Sequence, residues 1–289
     1  MNFYKITNEE EKHRGMKYKT GLNVDILPFN PSGDCESGGI YFSREDILAF
    51  MEYGKWIRKV TLPENAKVYE NPGSPKKWKA DKVILGRKYK ITPKKIKQLI
   101  KEGADPKAGG SEALRLAAEN GHLEIVKLLI PVSDPKAGGS YALQLAATKG
   151  HLEIVKLLIP VSDPKAGGSY ALRLAAENGH LEIVKLLIPV SDPKALDSNA
   201  LRCAATKGHL EIVKLLIPMS DPKAGGSEAL RLAATKGHLE IVKLLIPVSD
   251  PKSLGSEALR WAAAEGHLEI VKLLIPVSDP GVVKELKLN

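Results

Sequence analysis

The sequence predicts a small α+β domain followed by an all-α solenoid with short loops. Three observations carry this reading. From Asp105 a unit of 29 residues, DPKAGGSEALRLAAENGHLEIVKLLIPVS, recurs six times. Only fifteen of the 289 residues are Phe, Tyr or Trp, and twelve of those fall in residues 1–90. Glycine and proline sit at fixed places in every unit, where they stop helices. The repeated part must therefore build its interior from Leu, Ile, Val and Ala, and a fixed period of this length means stacked supersecondary units.

Residues 1–90 carry no repeat. Alternating runs at 55–62, 66–69 and 82–85 predict strands. Residues 43–53 predict a helix capped by Ser43, with Ile47, Leu48, Phe50 and Met51 apolar. Residues 28–39 are rich in Pro, Gly and Ser and predict a loop. Residues 91–104 predict a capping helix. Thr92-Pro93 starts it, Ile96, Leu99 and Ile100 face inward, and Lys94, Lys95, Lys97 and Lys101 form the polar outer face that a terminal cap needs.

The six units span 105–278 and begin at Asp105, Asp134, Asp163, Asp192, Asp221 and Asp250. The run GHLEIVKLLIP is identical in all six. Ser111 is placed to cap a first helix over 112–120, which Asn120-Gly121 stops, since Gly accepts the left-handed backbone at low cost. His122 to Ile130 reads as a second helix with Leu123, Val126, Leu129 and Ile130 on one face, and Pro131 ends it. Residues 131–139 form a turn-rich connection. Neither helix can bury its face alone, but stacked copies can, with Ala117 and Ala118 permitting close approach. Residues 279–289 supply Val282, Val283, Leu286 and Leu288 for a partial C-terminal cap.

Composition narrows the function. With 43% hydrophobic and 27% charged residues and a mean hydropathy of −0.15, the chain is neither disordered nor membrane-spanning. The first residues lack an apolar core, so no secretion signal is expected. Two cysteines, Cys35 and Cys203, are too few for a disulfide framework or a zinc cluster, and an intracellular, cytoplasmic location is expected. The net charge of +9 raises nucleic acid as a partner. It is uneven: residues 1–104 hold 21 basic and 13 acidic residues, and 105–289 hold 22 and 21. Residues 76–101 hold eleven basic residues and one acid, Asp81, with Trp78 and Tyr89 interleaved. That stretch is a phosphate-binding stripe or a solvated linker joined to the polar face of the cap. The cap already accounts for its lysines.

Six of seven histidines, His122, His151, His180, His209, His238 and His267, recur with the unit. Equivalent residues in stacked helices lie about 8–10 Å apart, whereas zinc ligands lie about 2 Å from the metal. The histidines read as structural, and no metal or cofactor is expected. Glu124 and Lys127 and their equivalents read as solvated helix pairs. Differences between near-identical units are more telling. They fall at Glu112 and its equivalents Tyr141, Tyr170, Asn199, Glu228 and Glu257, and at Arg115 and its equivalents Gln144, Arg173, Arg202, Arg231 and Arg260. They also fall at Glu119-Asn120 and at the Leu116 position, which holds Cys203 in a packed site and Trp261 as a cover for the last unit.

The run Leu114, Leu116, Ala117, Ala118, then Asn120-Gly121-His122-Leu123-Glu124-Ile125-Val126-Lys127-Leu128-Leu129, resembles the ankyrin repeat in all six units. The family's Thr-Pro-Leu-His opening is replaced here, and the unit is shorter than the usual ~33 residues, so the projecting fingers should be reduced to turns. Short units of this kind look most like those of giant DNA viruses that infect amoebae, which would place the chain in a host cytoplasm. The resemblance implies a monomeric protein-binding scaffold whose concave side carries the first-helix residues Glu112, Arg115, Tyr141, Gln144, Tyr170, Arg173, Asn199, Arg202, Arg231 and Arg260. Tyr and Arg are favoured at interfaces; drift after recent duplication is the competing account of the variation.

In the first domain, Gly15 to Leu22, then Gly38-Gly39-Ile40-Tyr41-Phe42-Ser43, then a helix ending near Tyr53, resemble the NAD-binding half of poly(ADP-ribose) polymerase-like transferases. That likeness implies an NAD-using alternative with Tyr41 against the nicotinamide and Tyr53 beside it. The sequence departs from the family at its first strand, Tyr4-Lys5-x-Thr7, which has neither His nor Arg, and Glu70 is merely an available carboxylate.

Overall fold

A computed structural model describes residues 2–32 and 36–288; Cys35 lies outside them. The chain divides into two compact units, Met1–Ala142 and Leu143–Asn289.

The described residues of the first unit begin with nine strands: β1 (Phe3–Thr7), β2 (Lys12–His13), β3 (Met16–Lys17), β4 (Gly21–Val24), β5 (Ile40–Phe42), β6 (Trp56–Thr61), β7 (Val68–Asn71), β8 (Lys77–Ala80) and β9 (Lys82–Lys90). One antiparallel sheet has the order β1-β6-β9-β4, and a second has the order β5-β8-β7. β2 and β3 form a hairpin. The core is the apolar set Ile40, Phe42, Val60, Val83 and Leu85 of these strands, with Tyr18 after β3 packed among them. Phe3 closes it edge-on against Phe42 and Trp78, at ring centroid distances of 5.1 and 5.3 Å. The region is richer in strand than 55–62, 66–69 and 82–85 predicted.

The helix expected over 43–53 is a 3-10 helix, Glu45–Tyr53, and Ser43 does not cap it. Ser43 pairs instead with Tyr4 in an isolated bridge, and its hydroxyl donates to the Lys76 carbonyl at 2.7 Å. The bridge places Ser43 before the helix start, and its hydroxyl is turned to the Lys76 carbonyl instead of the first helical N–H groups.

A buried ion pair ties β6 to the turn after β1. The β6 register shifts between Arg58 and Val60, and Arg58 is buried beside Ile57. Its Nε and Nη2 donate to the two carboxylate oxygens of Glu11 at 2.7 and 3.0 Å, while Nη1 donates to the Gly86 carbonyl and the Thr20 hydroxyl. Every side of the guanidinium is met, which is what makes a charge tolerable inside. These bonds hold the Glu11 carboxyl below the ordinary range.

Then come α1 (Pro93–Lys101), α2 (Ala108–Glu119) and α3 (Leu123–Leu129). Thr92 caps α1 by accepting from the Lys95 N–H, and Ile96 and Leu99 are buried as expected of a cap. α1 packs on α3, and α2 packs on the 3-10 helix, all within the first unit. The repeats continue as α4 (Ala137–Lys149), α5 (Leu152–Leu158), α6 (Ala166–Glu177), α7 (Leu181–Leu187), α8 (Ala195–Lys207), α9 (Leu210–Leu216), α10 (Ala224–Thr235), α11 (Leu239–Leu245), α12 (Ser253–Ala264) and α13 (Leu268–Leu274). The last helix is α14 (Pro280–Glu285), capped by Asp279, with Val282 buried and Glu285 holding Arg260 in a two-bond pair of 2.7 and 2.8 Å. That is a firmer cap than four aliphatic residues suggested.

In the second unit α6 packs on α8, α8 on α10 and α10 on α12, and the short helices α5 through α13 pack in the same order. Leu172, Ala175, Ala176, Val184 and Leu187 are all at 0% exposure. Ser111 and its equivalents do not cap their helices either. Gly167, Gly168 and Ser169 make a left-handed turn, with φ of 60°, 67° and 60°, and the Ser169 hydroxyl accepts from the N–H of Asp192 at 2.8 Å. The turn points the serine at the start of the next unit. In the fourth unit the same turn is made by Leu196, Asp197 and Ser198.

The histidines of the last four repeats clasp the repeat before them. The Nε2 of His180 lies 3.0 Å from the Thr148 carbonyl, and His209, His238 and His267 meet the carbonyls of Glu177, Thr206 and Thr235 at the same distance. A carbonyl only accepts, so Nε2 carries the proton. The ring also fills the space over the preceding unit's turn glycine. A Cβ on Gly150 (φ +79°) would stand 2.7 Å from the His180 ring, whereas one on Gly266 (φ +74°) meets nothing within 4 Å.

Two outcomes follow from these packings. Gly266→Ala should cost only the left-handed backbone penalty, about 1 kcal/mol, and Gly150→Ala at least about 1 kcal/mol more, read as urea midpoints. Glu11→Gln should lower stability at pH 7 by about 3 kcal/mol, as expected when one partner of a buried pair is removed. Because Glu11 has a depressed folded pKa, its stabilisation is complete above its unfolded value of 4.5 and is lost as pH falls through the lower folded one. The variant's acid limb should be correspondingly flatter in pH-dependent urea melts.

Candidate functional site

The variable positions at the start of each first helix form the candidate site. They emerge one residue after the left-handed turn, so Glu112, Tyr141, Tyr170, Asn199, Glu228 and Glu257 leave the helix at the same place in every unit. The arginine position follows three residues later, one helical turn along.

The side chains are paired by a rule that the sequence reading missed. The residue at the arginine position reaches forward 26 residues, to the first-helix start of the next unit. In the first compact unit Arg115 lies over the ring of Tyr141, with 5.2 Å to the centroid, and also pairs with Glu112. In the second, Arg202 pairs with Glu228, and Arg231 pairs with Glu257 at 3.4 Å and back to Glu228 at 3.0 Å. Arg260 ends the series on Glu285. These side chains are a fifth to two-fifths exposed on average, with Glu285 more so. Bonds from Arg260 hold the Glu285 carboxyl below its ordinary range.

Among the arginines, Arg173 departs from the rule. The residue 26 beyond Arg173 is Asn199, which offers no charge and no ring. Arg173 turns back on its own unit, 4.1 Å over the Tyr170 ring, and Nη1 donates to Glu177 at 3.2 Å. Asn199 accepts instead from the Cys203 thiol at 3.4 Å. Tyr141 and Tyr170 are 39% and 37% exposed, whereas Gln144 is buried at 9% and presents no surface. Cys203 is half-buried, not a full core residue, and burial pushes its thiol up. Trp261, expected as a cover, is 44% exposed. The offset of 26 was visible in the sequence, as Arg followed by Tyr or Glu, but only a geometry shows that the two positions touch.

Other candidates separate clearly. The Glu124–Lys127 type of pair is exposed, as expected, at 2.6–2.8 Å in all six units. Within 76–101, Lys79 is fully buried with its ammonium on the Ser32 carbonyl, and Lys88 is held by Glu11. The basic stretch is therefore partly interior. Tyr41 and Tyr53 line one cavity of the first unit, and Glu70 on β7 is not among its lining residues. Among the described residues, no group of three His, Cys, Asp or Glu could hold a metal ion, and no helix is long and apolar enough to cross a membrane.

If the 26-residue pairing carries stability, Glu228→Gln removes two partners at once. The loss should be about 0.5–1 kcal/mol for such half-exposed pairs and should shrink at high salt, as compared in urea melts at low and high NaCl.

Comparison with known proteins fits this architecture. The family pattern "Ankyrin repeats (3 copies)" matches residues 89–167, 161–225 and 204–284. Two proteins of Acanthamoeba polyphaga mimivirus named as ankyrin repeat proteins are 36% and 34% identical to the chain over 140 and 137 residues. These alignments cover 43% and 44% of this chain and 46% and 40% of the relatives, so the chain spans less than half of their length. An uncharacterised protein of the same virus is 38% identical over 133 residues, which is 44% of this chain and 96% of that protein.

Proposed function

The chain belongs to the ankyrin-repeat family, and from that premise we propose that it is a protein-binding scaffold whose recognition face is the row of first-helix starts. Ankyrin repeats suggest protein partners generally. The observation that supports the finer reading is the junction at Tyr170, Arg173 and Asn199. There alone in the Arg series of the second unit the guanidinium makes no ion pair with the first-helix start of the next repeat. Its flat face is held on the Tyr170 ring, and its edge meets Glu177 and the Cys203 sulfur.

A stacked arginine keeps its remaining N–H groups in one plane and loses little freedom on binding. Beside it, an exposed tyrosine supplies area and a hydroxyl. Tyr141, with Arg115 over its ring, repeats the combination one unit earlier in sequence. The partner this chemistry fits is a protein segment that offers carboxylates or backbone carbonyls to the arginine and apolar atoms to the rings.

Replacing Tyr141, Tyr170 and Arg173 together with Ala should abolish retention of the proteins that the intact chain captures from lysate, with an unchanged thermal midpoint. Unchanged capture assigns the wrong face. Asn199→Glu gives Arg173 the forward partner that the other junctions have. It should raise stability by about 0.5 kcal/mol and weaken capture, as followed by melting and by quantitative pull-down.

A further inference from the structure

The cavity that Tyr41 and Tyr53 share lies between β1, the β2–β3 hairpin, β5 and the 3-10 helix, with a volume of about 150 Å³. Phe42, Ile47 and Phe50 supply apolar wall, and Tyr18, Tyr41 and Tyr53 supply rings. Its charged lining is of one sign. Lys5, Lys12, His13, Arg14 and Lys77 reach it, and no Asp or Glu does among the described residues.

Lys5 is the informative member. It sits in the middle of β1 and is 6% exposed. Its ammonium donates to the Tyr41 carbonyl at 2.8 Å and lies 4.5 Å from the centroid of the Tyr18 ring. No carboxylate of the described residues is within ion-pair distance of it. Asp25 acts on it only from farther off, and that carboxylate is already accepting from the N–H groups of Leu27 and Gly39. Contrast Arg58, equally buried, whose every N–H direction is answered by Glu11, Gly86 and Thr20. A buried ammonium without a counter-charge costs several kcal/mol, and a cavity opens beside it. An anion arriving from solution would remove that cost.

The volume sets the size of such an anion. About 150 Å³ is the room that one benzene ring occupies in an apolar protein cavity. The rings and aliphatic walls favour a flat apolar body, and the basic lining favours a negative end. We propose that this cavity binds a small aromatic carboxylate, a single ring with one negative charge, with Lys5 as its charge partner and the tyrosine rings as its walls.

Titration behaviour supports the geometry. Burial lowers the Lys5 pKa to about 7. An anion beside it favours the charged form, so binding should take up a proton at pH above 7 and weaken about tenfold per pH unit beyond that. The titratable groups that line the cavity with Lys5 are Tyr4 of its own strand, Lys12, His13 and Arg14 of the hairpin, Tyr18, Tyr41, Tyr53 and Lys77, with Asp25 farther off. His13 is held below the ordinary imidazole range, chiefly by burial, and the Tyr18 phenol is pushed up to about 12, so neither changes charge between pH 7 and 9.

The test is calorimetry on the full chain with benzoate, with benzylamine, inorganic phosphate and NAD as comparison ligands. Benzoate should bind, and benzylamine and phosphate should bind at least about tenfold more weakly, since one has the wrong charge and the other lacks the ring. Lys5→Met keeps the stem and deletes the buried charge. It should lose benzoate affinity at least tenfold with a thermal midpoint equal to or above that of the parent chain. If that variant fails to fold, the parent's own pH series decides, with a tenfold loss of affinity between pH 8 and pH 9 expected. The proposal is overturned by no heat with benzoate, by equal binding of benzylamine or phosphate, by NAD binding where benzoate does not, by unaltered affinity in folded Lys5→Met, or by affinity flat across pH 7–9.

Discussion

The repeated part depends on one contact, a histidine Nε2 donating to a carbonyl of the unit before it. The seven-residue helices α5, α7, α9, α11 and α13 are too short to persist on their own in water. They exist because a neighbour covers Ile, Val and Leu on their inner faces, and the clasp sets the distance at which that cover fits. The same ring occupies the space above the turn glycine, so the glycine answers two demands. It supplies a left-handed φ, and it leaves room that any Cβ would fill. At the four junctions from Gly150 with His180 to Gly237 with His267, one geometry requires both the glycine and the histidine of the next unit.

A second layer of ties lies outside the apolar core. The forward reach of 26 residues turns variation between units into matched pairs: Arg115 with Tyr141, Arg202 with Glu228, Arg231 with Glu257. A difference that looks like a free choice of surface residue is in part a choice of neighbour. That divides the first-helix row into positions that pair with the next unit's first-helix start and positions that do not. Tyr170, Arg173 and Asn199 belong to the second group because asparagine cannot complete the pair.

Much of the fold was legible in the sequence, and the losses have physical causes. The period, the helix pair, the capping helix over 91–104 and the structural role of the histidines all follow from patterns that repeat locally. Ser43 and Ser111 looked like caps because serine before a helix usually is one. Whether a hydroxyl caps its own helix or ties a distant backbone group depends on the φ of its residue, and sequence does not display that. At Ser169 and its equivalents three successive left-handed residues aim the hydroxyl away from its helix. The strands β2 to β5 and β8 were hidden because they are two to four residues long, and β4, β5 and β8 of these also have partners distant in sequence or split over two neighbours, so propensity had little to act on. The cavity around Lys5 was invisible for the same reason. Tyr18, Tyr41 and Tyr53 meet only after the sheets assemble.

In the second compact unit the histidine clasp and the serine bond each span one junction and repeat at the next. Removing or adding one whole unit therefore leaves each remaining clasp and serine bond with an equivalent backbone partner. Such a structure has no preferred length written into its core.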